Sequence, residues 1–214
     1  MKITRFIGFI RLLVVLSFSL AAFSTLGQAK QAPLALSAPQ QQAIRKLNDY
    51  LNSFQTLKAD FVQVSSKGTM TQGQMLISKP GRLRFEYAPP NPLLIVSDGR
   101  WLTIKDKVKE KGDQFPLSST PLRLVVAPQI DLLAETDIIG FDSTDGLTSV
   151  SFVDRKGTLG GYITLVFDEK RNQLVQWIIV DGKDRHTTVQ LTNLVTGGTF
   201  DPKLFISKID RGTP

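Results

Sequence analysis

Residues 79–99 read Lys-Pro-Gly-Arg-Leu-Arg-Phe-Glu-Tyr-Ala-Pro-Pro-Asn-Pro-Leu-Leu-Ile-Val-Ser-Asp-Gly. Residues 82–87 alternate charged and apolar side chains, so Leu83, Phe85 and Tyr87 lie on one face of a predicted strand over 82–87. The prolines that follow end this strand. The Asp98-Gly99 pair lies between two apolar runs, which is the strongest short-range signal for a β-hairpin. The stretch therefore predicts antiparallel strands joined by tight turns.

The same pattern extends over much of the chain. Further strands are predicted at 61–64, 74–77, 163–167, 174–180 and 186–194, and Asp-Gly turns recur at 145–146 and 181–182. Ser37 and Pro39 open an amphipathic helix over 39–56, and Thr120-Pro121 opens a second helix that runs to residue 133. The regular spacing favours a meandering antiparallel sheet with few helices, which is an α+β fold in a single domain.

The amino terminus is typical of a secretory signal peptide. Lys2, Arg5 and Arg11 precede an apolar run and the small residues before Ala29, which predicts cleavage near Ala29 and leaves a domain of residues 30–214. An uncleaved membrane anchor is the alternative, although the run is short for a span. Removing residues 1–29 takes away three of the 26 basic residues and none of the 19 acidic ones, which leaves a net charge of +4.

The composition excludes several classes of chemistry. The chain has no cysteine, so disulfides, thiolate metal sites and cysteine nucleophiles are absent, as is an acylated cysteine anchor. A single histidine, His186, has no serine-nucleophile motif to accompany it, and a paired or surface role is the simpler interpretation. A pair of carboxylates distant in sequence stays open as a glycosidase site, but no pair is singled out. We predict no enzyme, no cofactor and no metal.

Four lysines alternate at positions 105, 107, 109 and 111. On a strand they would line one face, and such a row protects an exposed edge strand from aggregation. The alternative is a patch that docks an anionic surface or an acidic partner. A mild net charge does not indicate a nucleic-acid partner.

The stretch 79–99 closely resembles the LolA-type outer-membrane lipoprotein carriers, in its Lys79-Pro-Gly-Arg-Leu-Arg-Phe-Glu-Tyr segment and its Ile95-Val-Ser-Asp-Gly turn. Residues 57–63 resemble the first strand of that family, and Thr120-Pro-Leu resembles the start of its lid helix. The resemblance spans roughly residues 40–207. It implies a strongly curved antiparallel sheet, an incomplete β-barrel covered by helices.

The resemblance also implies a function. Such carriers take acylated lipoproteins from an inner-membrane ABC transporter, cross the periplasm as soluble chaperones, and pass them to an outer-membrane receptor lipoprotein. Enterobacterial members place an arginine where this chain has Lys79, and that arginine holds the lid closed. A lysine has one rotatable ammonium in place of a planar fork, so it does not offer the same fixed clamp with several donors.

Strand alternation together with the resemblance predicts the wall of an apolar ligand cavity, formed by Phe61, Met75, Ile77, Leu83, Phe85 and Tyr87. Lys79, Leu122 and Val125 are the predicted lid contacts. Without the resemblance, the same apolar stripe would be read as ordinary core. We predict a monomer. Two alternatives stay open, namely an envelope lipid- or protein-sensing regulatory domain of the same fold and an envelope hydrolase.

Overall fold

The described part of the chain has one helix near its start and continues mainly as antiparallel strands. The computed structural model describes residues 32–109, 111–120, 122–156 and 160–207, and these described residues belong to one compact unit. The predicted signal peptide and Pro121 lie outside the described residues. The helices are α1 (Ala38–Asn52), α2 (Leu122–Val125) and α3 (Leu132–Glu135). The strands are β1 (Thr56–Ser65), β2 (Met70–Ser78), β3 (Arg82–Tyr87), β4 (Leu93–Asp98), β5 (Trp101–Asp106), β6 (Gly112–Pro116), β7 (Thr136–Thr144), β8 (Leu147–Asp154), β9 (Tyr162–Asp168), β10 (Gln173–Val180) and β11 (His186–Thr196).

Helix α1 begins where the sequence predicts. The backbone N–H of Ser37 donates to Gln40 Oε1 at 2.8 Å, which satisfies a group that the first turn leaves without a partner. The helix ends at Asn52, four residues before the predicted end, because Thr56 already pairs with Ser78 as the first residue of β1. At 15 residues α1 is the longest described helix, and none of the described helices is long and apolar enough to cross a membrane.

The sheet consists of two meanders. The strand order is β6-β5-β4-β3-β2-β1-β11-β10-β9-β8-β7, and every pairing is antiparallel. The β1–β11 pair joins the two meanders, and β6 and β7 are the two edges. The chain between these edges, residues 117–135, contains α2 and α3. This one connection therefore links the two ends of an open sheet.

Aromatic contacts show how strongly the sheet curves. Phe85 on β3 and Trp177 on β10 have ring centroids 5.8 Å apart, although four inter-strand steps separate their strands. In a flat sheet that separation would be about 19 Å, since neighbouring strands lie about 4.8 Å apart. Phe61 on the intervening β1 is 5.1 Å from Phe85. The predicted α+β fold, with a strongly curved open sheet, is confirmed.

The concave face carries the apolar core. In β3 the inward residues Leu83, Phe85 and Tyr87 are at most 5% exposed, whereas the intervening charged residues reach solvent. Helix α1 packs Ile44, Leu47 and Leu51 into the same core. The short carboxy-terminal turn Pro202–Phe205 packs instead on the convex side, where Arg84 Nη1 donates to the Leu204 carbonyl at 3.0 Å. The sheet is thus covered by helix on its inner face.

The predicted helix over 121–133 is wrong in its length. The structure has two four-residue helices, α2 and α3, with an irregular segment between them. Pro128 lies in that segment, and a proline disfavours helical backbone in the residue before it and has no N–H to donate. Asp131 then caps α3 through a bond from the Ala134 N–H, at 3.1 Å.

The four alternating lysines do not share one strand. β5 ends at Asp106, and β6 begins only at Gly112. The Asp106 side chain accepts hydrogen bonds from the backbone of Val108 (2.8 Å) and Lys109 (3.0 Å), so a turn forms within the lysine row. The prediction that the lysines line one face of a strand is wrong.

Candidate functional site

An apolar interior lies between the concave sheet, α1 and α2. Its free volume is about 10 Å³, which is room for one water molecule at most. The side chains that line it come from α1, from the sheet and from the segment that contains α2 and α3, residues 122–135, which we call the lid segment. They are Tyr50, Leu51, Phe54, Leu57, Met75, Ile77, Val125, Leu174, Trp177, Leu191 and Leu194. The interior as it stands is packed, so a ligand can occupy it only if some of these side chains move.

The structure brings all six predicted cavity residues to the concave face. The register pairs Ile77 with Leu83, and Met75 with Phe85, so these four side chains form adjoining rows. Met75 and Ile77 line the free volume directly. Phe61 stacks edge-on against both Phe85 and Tyr87, with each pair of centroids 5.1 Å apart.

Tyr87 carries the polar group of this aromatic cluster. Its hydroxyl donates to Gln63 Oε1 at 2.7 Å. Burial raises the pKa of Tyr87 to about 12, against the opposing effect of that bond. The hydroxyl is therefore neutral at physiological pH and satisfied without a ligand.

Lys79 lies at the carboxyl end of α1. Its side chain is buried, Nζ donates to the Leu51 carbonyl, and the ammonium lies 4.6 Å from the centroid of the Phe54 ring. Burial lowers the pKa of Lys79 to about 8. The direct bond from this part of the chain to the lid segment is a backbone one, from Gly81 N–H to the Val126 carbonyl at 2.7 Å.

A second basic residue, Arg123, holds α2 in place. Its guanidinium makes a two-pronged contact with Asp154 on β8, in which Nε is 2.6 Å from Oδ2 and Nη2 bonds Oδ1. Nη1 is 3.3 Å from Glu135 Oε2. The bond to Asp154 raises the pKa of Arg123 further, against the effect of burial. A bidentate pair of this kind fixes orientation as well as adding energy.

Two asparagines on α1 hold the other end of the lid segment. Asn52 accepts from the Ile130 N–H at 2.8 Å and donates to the Ile130 carbonyl at 2.9 Å. One turn earlier, Asn48 accepts from the Leu132 N–H at 3.2 Å. Residues 130–132 are therefore bonded to α1 much as a neighbouring strand would be, whereas α2 is held by its Arg123 contacts, by the Gly81 N–H bond to the Val126 carbonyl directly after it, and by its packing.

An open groove of about 580 Å³ runs along the other side of α2. Leu122 lines this groove, whereas Val125 lines the interior, so one short helix separates the two spaces. The groove walls are mostly apolar and come from both arms of the curved sheet: Leu102, Ile104, Phe115 and Ile179. Displacement of α2 would join the groove to the interior.

Sequence reasoning missed the part of this site that α1 and the second meander supply. Tyr50, Phe54 and Trp177 line the interior, but none was predicted as a site residue. The spacing of Tyr50 and Phe54 along the helix could have indicated an inward face. Trp177 carries no such signal, because only the curvature of the sheet brings β10 opposite β3.

The described residues contain no group of three or more His, Asp or Glu side chains placed to hold a metal ion. His186 is half exposed, and its Nε2 is 3.4 Å from Asp184 Oδ1. The site that the structure does contain is a closed apolar one.

The chain was compared with family models, known sequences and solved structures. A sequence model of the family described as outer membrane lipoprotein carrier protein LolA matches residues 52–208. An outer-membrane lipoprotein carrier protein from Methylococcus capsulatus is 29% identical over 169 residues, which cover 75% of this chain and 80% of that protein. One from Coxiella burnetii is 24% identical over 182 residues, covering 81% and 86%. A LolA superfamily structure from Nitrosomonas europaea, 10% identical, superposes with a TM-score of 0.46 over 80% of this chain and 98% of that one.

Proposed function

Because the chain belongs to the LolA family of outer-membrane lipoprotein carriers, we propose that it carries acylated proteins and shields their acyl chains against the concave face of its sheet. The wall of the binding space would be Phe61, Met75, Ile77, Leu83, Phe85 and Tyr87, which all face the interior. Leu122 and Val125 on α2 would be the lid contacts, and Lys79 would hold the adjoining end of α1.

The observation that carries this proposal is the position of α2 between an apolar groove and an apolar interior. Each methylene withdrawn from water contributes about 0.8 kcal/mol, so a chain of myristoyl length has on the order of 10 kcal/mol available. Opening the lid would break the ion pair at Arg123 and expose the buried side chains of Leu124 and Val125. Each of these changes costs on the order of 2–3 kcal/mol, which together stays below the gain from the acyl chain. Binding of the acyl chain can therefore supply the free energy that opens the lid.

A packed interior also suits a carrier of acyl chains. An open apolar space of this size would attract other lipids and other copies of the chain. A lid held by a few polar contacts keeps the surface covered until cargo displaces it. Met75 helps the wall to adapt, because methionine side chains are flexible and fill irregular spaces.

We further propose the route that the family name suggests. The mature chain, residues 30–214 as a single domain, would work as a monomer in the periplasm after loss of residues 1–29. It would receive lipoproteins from an inner-membrane ABC transporter and deliver them to an outer-membrane receptor lipoprotein. Binding alone, without a chemical step, would suffice for this role.

Trp177 provides a direct test because it lines the interior. The chain has two tryptophans, so Trp101→Phe leaves Trp177 as the one tryptophan whose emission is followed. Titration with an acylated lipopeptide is expected to shift the Trp177 emission and to give a saturable binding curve, whereas the same peptide without acyl groups is expected to do neither. If both peptides leave the emission unchanged and neither co-elutes with the protein, the proposal of lipid carriage is wrong. The result would then favour the alternative of a regulatory domain of the same fold.

A further inference from the structure

The hydroxyl of Tyr50 has no hydrogen-bond partner among the described residues, although its atom is fully buried. The residue lies in the last turns of α1 and is 7% exposed. Its ring packs against Phe54 and Phe167, with centroids 5.7 Å and 5.4 Å away. Tyr87, the other deeply buried tyrosine, has Gln63 as its partner. Two tyrosines in one core thus differ in whether the hydroxyl is satisfied.

An unsatisfied buried hydroxyl destabilises the folded protein, since it gives up its bonds to water and gains none. A phenylalanine would fill the same ring position without that loss. The backbone of Leu174 lies near the hydroxyl, but the two form no hydrogen bond of acceptable geometry. Burial raises the pKa of Tyr50 against a smaller opposing effect of Leu174. The group is therefore a neutral O–H donor.

The place of Tyr50 in the fold suggests a partner for this donor. Tyr50 and Leu174 line the interior volume together with Val125 of the lid, and Tyr50 carries the one hydroxyl among the lining side chains. When α2 moves away, the hydroxyl becomes part of the wall that faces the ligand. A hydrocarbon chain offers no acceptor, whereas the ester or amide that joins it to the rest of the lipid offers a carbonyl oxygen.

We propose that the Tyr50 hydroxyl donates a hydrogen bond to the carbonyl oxygen of an ester- or amide-linked acyl chain bound in the interior. This inference rests on the proposed function and adds a specificity to it. The protein would select acyl linkages over alkyl ether linkages of the same length. A site with a buried donor discriminates against an analogue without the acceptor, because the donor then stays unpaired in the complex.

The test compares two ligands in two proteins. A lysophospholipid with one ester-linked myristoyl chain and its ether-linked analogue of equal chain length are titrated against the full mature chain and against Tyr50→Phe. The unmodified protein is expected to prefer the ester by about fivefold, which corresponds to one net hydrogen bond. In Tyr50→Phe the two ligands are expected to bind equally. Tyr162→Phe is the matched control, since Tyr162 pairs with Val180 on the convex side and its loss should leave the preference unchanged.

Stability measurements check the unpaired state separately. Tyr50→Phe is expected to unfold at the same urea concentration as the unmodified protein or at a higher one. Tyr87→Phe, which removes the hydroxyl that bonds Gln63, is expected to unfold at a lower urea concentration. A clear loss of stability in Tyr50→Phe would mean that the hydroxyl already has a partner, and would overturn the inference.

The binding outcomes separate the two proposals. If neither ligand binds any of the proteins, lipid carriage itself fails. If both ligands bind but the ester preference is absent, or persists in Tyr50→Phe, carriage stands and the role of Tyr50 is wrong. Binding of an acylated lipopeptide and of a diacyl phospholipid is then measured in both proteins. The ligand whose carbonyl accepts the Tyr50 bond is expected to lose more affinity in Tyr50→Phe than the other, which identifies the source of the carbonyl.

Discussion

The buried ammonium of Lys79 makes the stability of the protein depend on alkaline pH. The unfolded chain holds this proton up to the ordinary lysine pKa of 10.5, whereas the folded protein releases it near pH 8 because burial lowers the pKa. Between these values the unfolded state binds more protons, so the free energy of unfolding rises with pH. A pKa lowered from 10.5 to about 8 corresponds to about 3 kcal/mol.

The perturbation that isolates this contribution is Lys79→Met, which keeps a straight apolar chain and removes the charge. Urea unfolding of both proteins is measured from pH 7 to above pH 10. The unmodified protein is expected to gain about 3 kcal/mol relative to Lys79→Met across the alkaline range, with the gain complete near the unfolded pKa. Subtracting the variant cancels the tyrosines and other groups that titrate in the same range.

Lys58→Met is the matched control, because Lys58 is exposed on β1 and its loss reports the general effect of removing one positive charge. If the difference between the unmodified protein and Lys79→Met stays constant to within about 0.5 kcal/mol over the range, the ammonium is not desolvated. The account of Lys79 as a buried cation against Leu51 and Phe54 would then be wrong.

Substitutions at three further positions probe the lid and the sheet. Arg123→Met removes the charged partner of Asp154, so the free energy of unfolding in urea should fall by about 3 kcal/mol. Stopped-flow uptake of a fluorescent acyl ligand should become faster, and unchanged uptake would contradict a role of Arg123 in holding the lid closed. Asn52→Ala removes the side chain that bonds the N–H and the carbonyl of Ile130, and should lower the free energy of unfolding in urea by about 2 kcal/mol. Asn52→Asp, which keeps the acceptor, should lower it by less. At Gly73 an added Cβ would lie 2.1 Å from a backbone oxygen of the neighbouring strand, so Gly73→Ala should cost about 3 kcal/mol and a neutral result would refute that close approach.

Local patterns in the sequence were sufficient for individual elements. The predicted strand over 82–87 coincides with β3, because alternation along a strand directly reports which side chains are buried. The start of α1 likewise follows from Ser37 and Pro39, because helix capping involves groups that are only a few residues apart in sequence. The prediction failed in the lid segment, because it followed the periodic apolar pattern there, whereas Pro128 interrupts the helix.

The sequence by itself determined an antiparallel, mostly β domain with an apolar stripe, and its likeness to a family of lipid carriers. It could not place α1, α2 and β10 around one interior, because these contacts depend on the curvature that eleven paired strands build up together. The contact of Lys79 with Leu51 spans 28 positions of sequence, and that of Arg123 with Asp154 spans 31. Only the tertiary structure decided these pairs, and only it could show that the buried Tyr50 hydroxyl has no hydrogen-bond partner in the part of the chain that the structure describes.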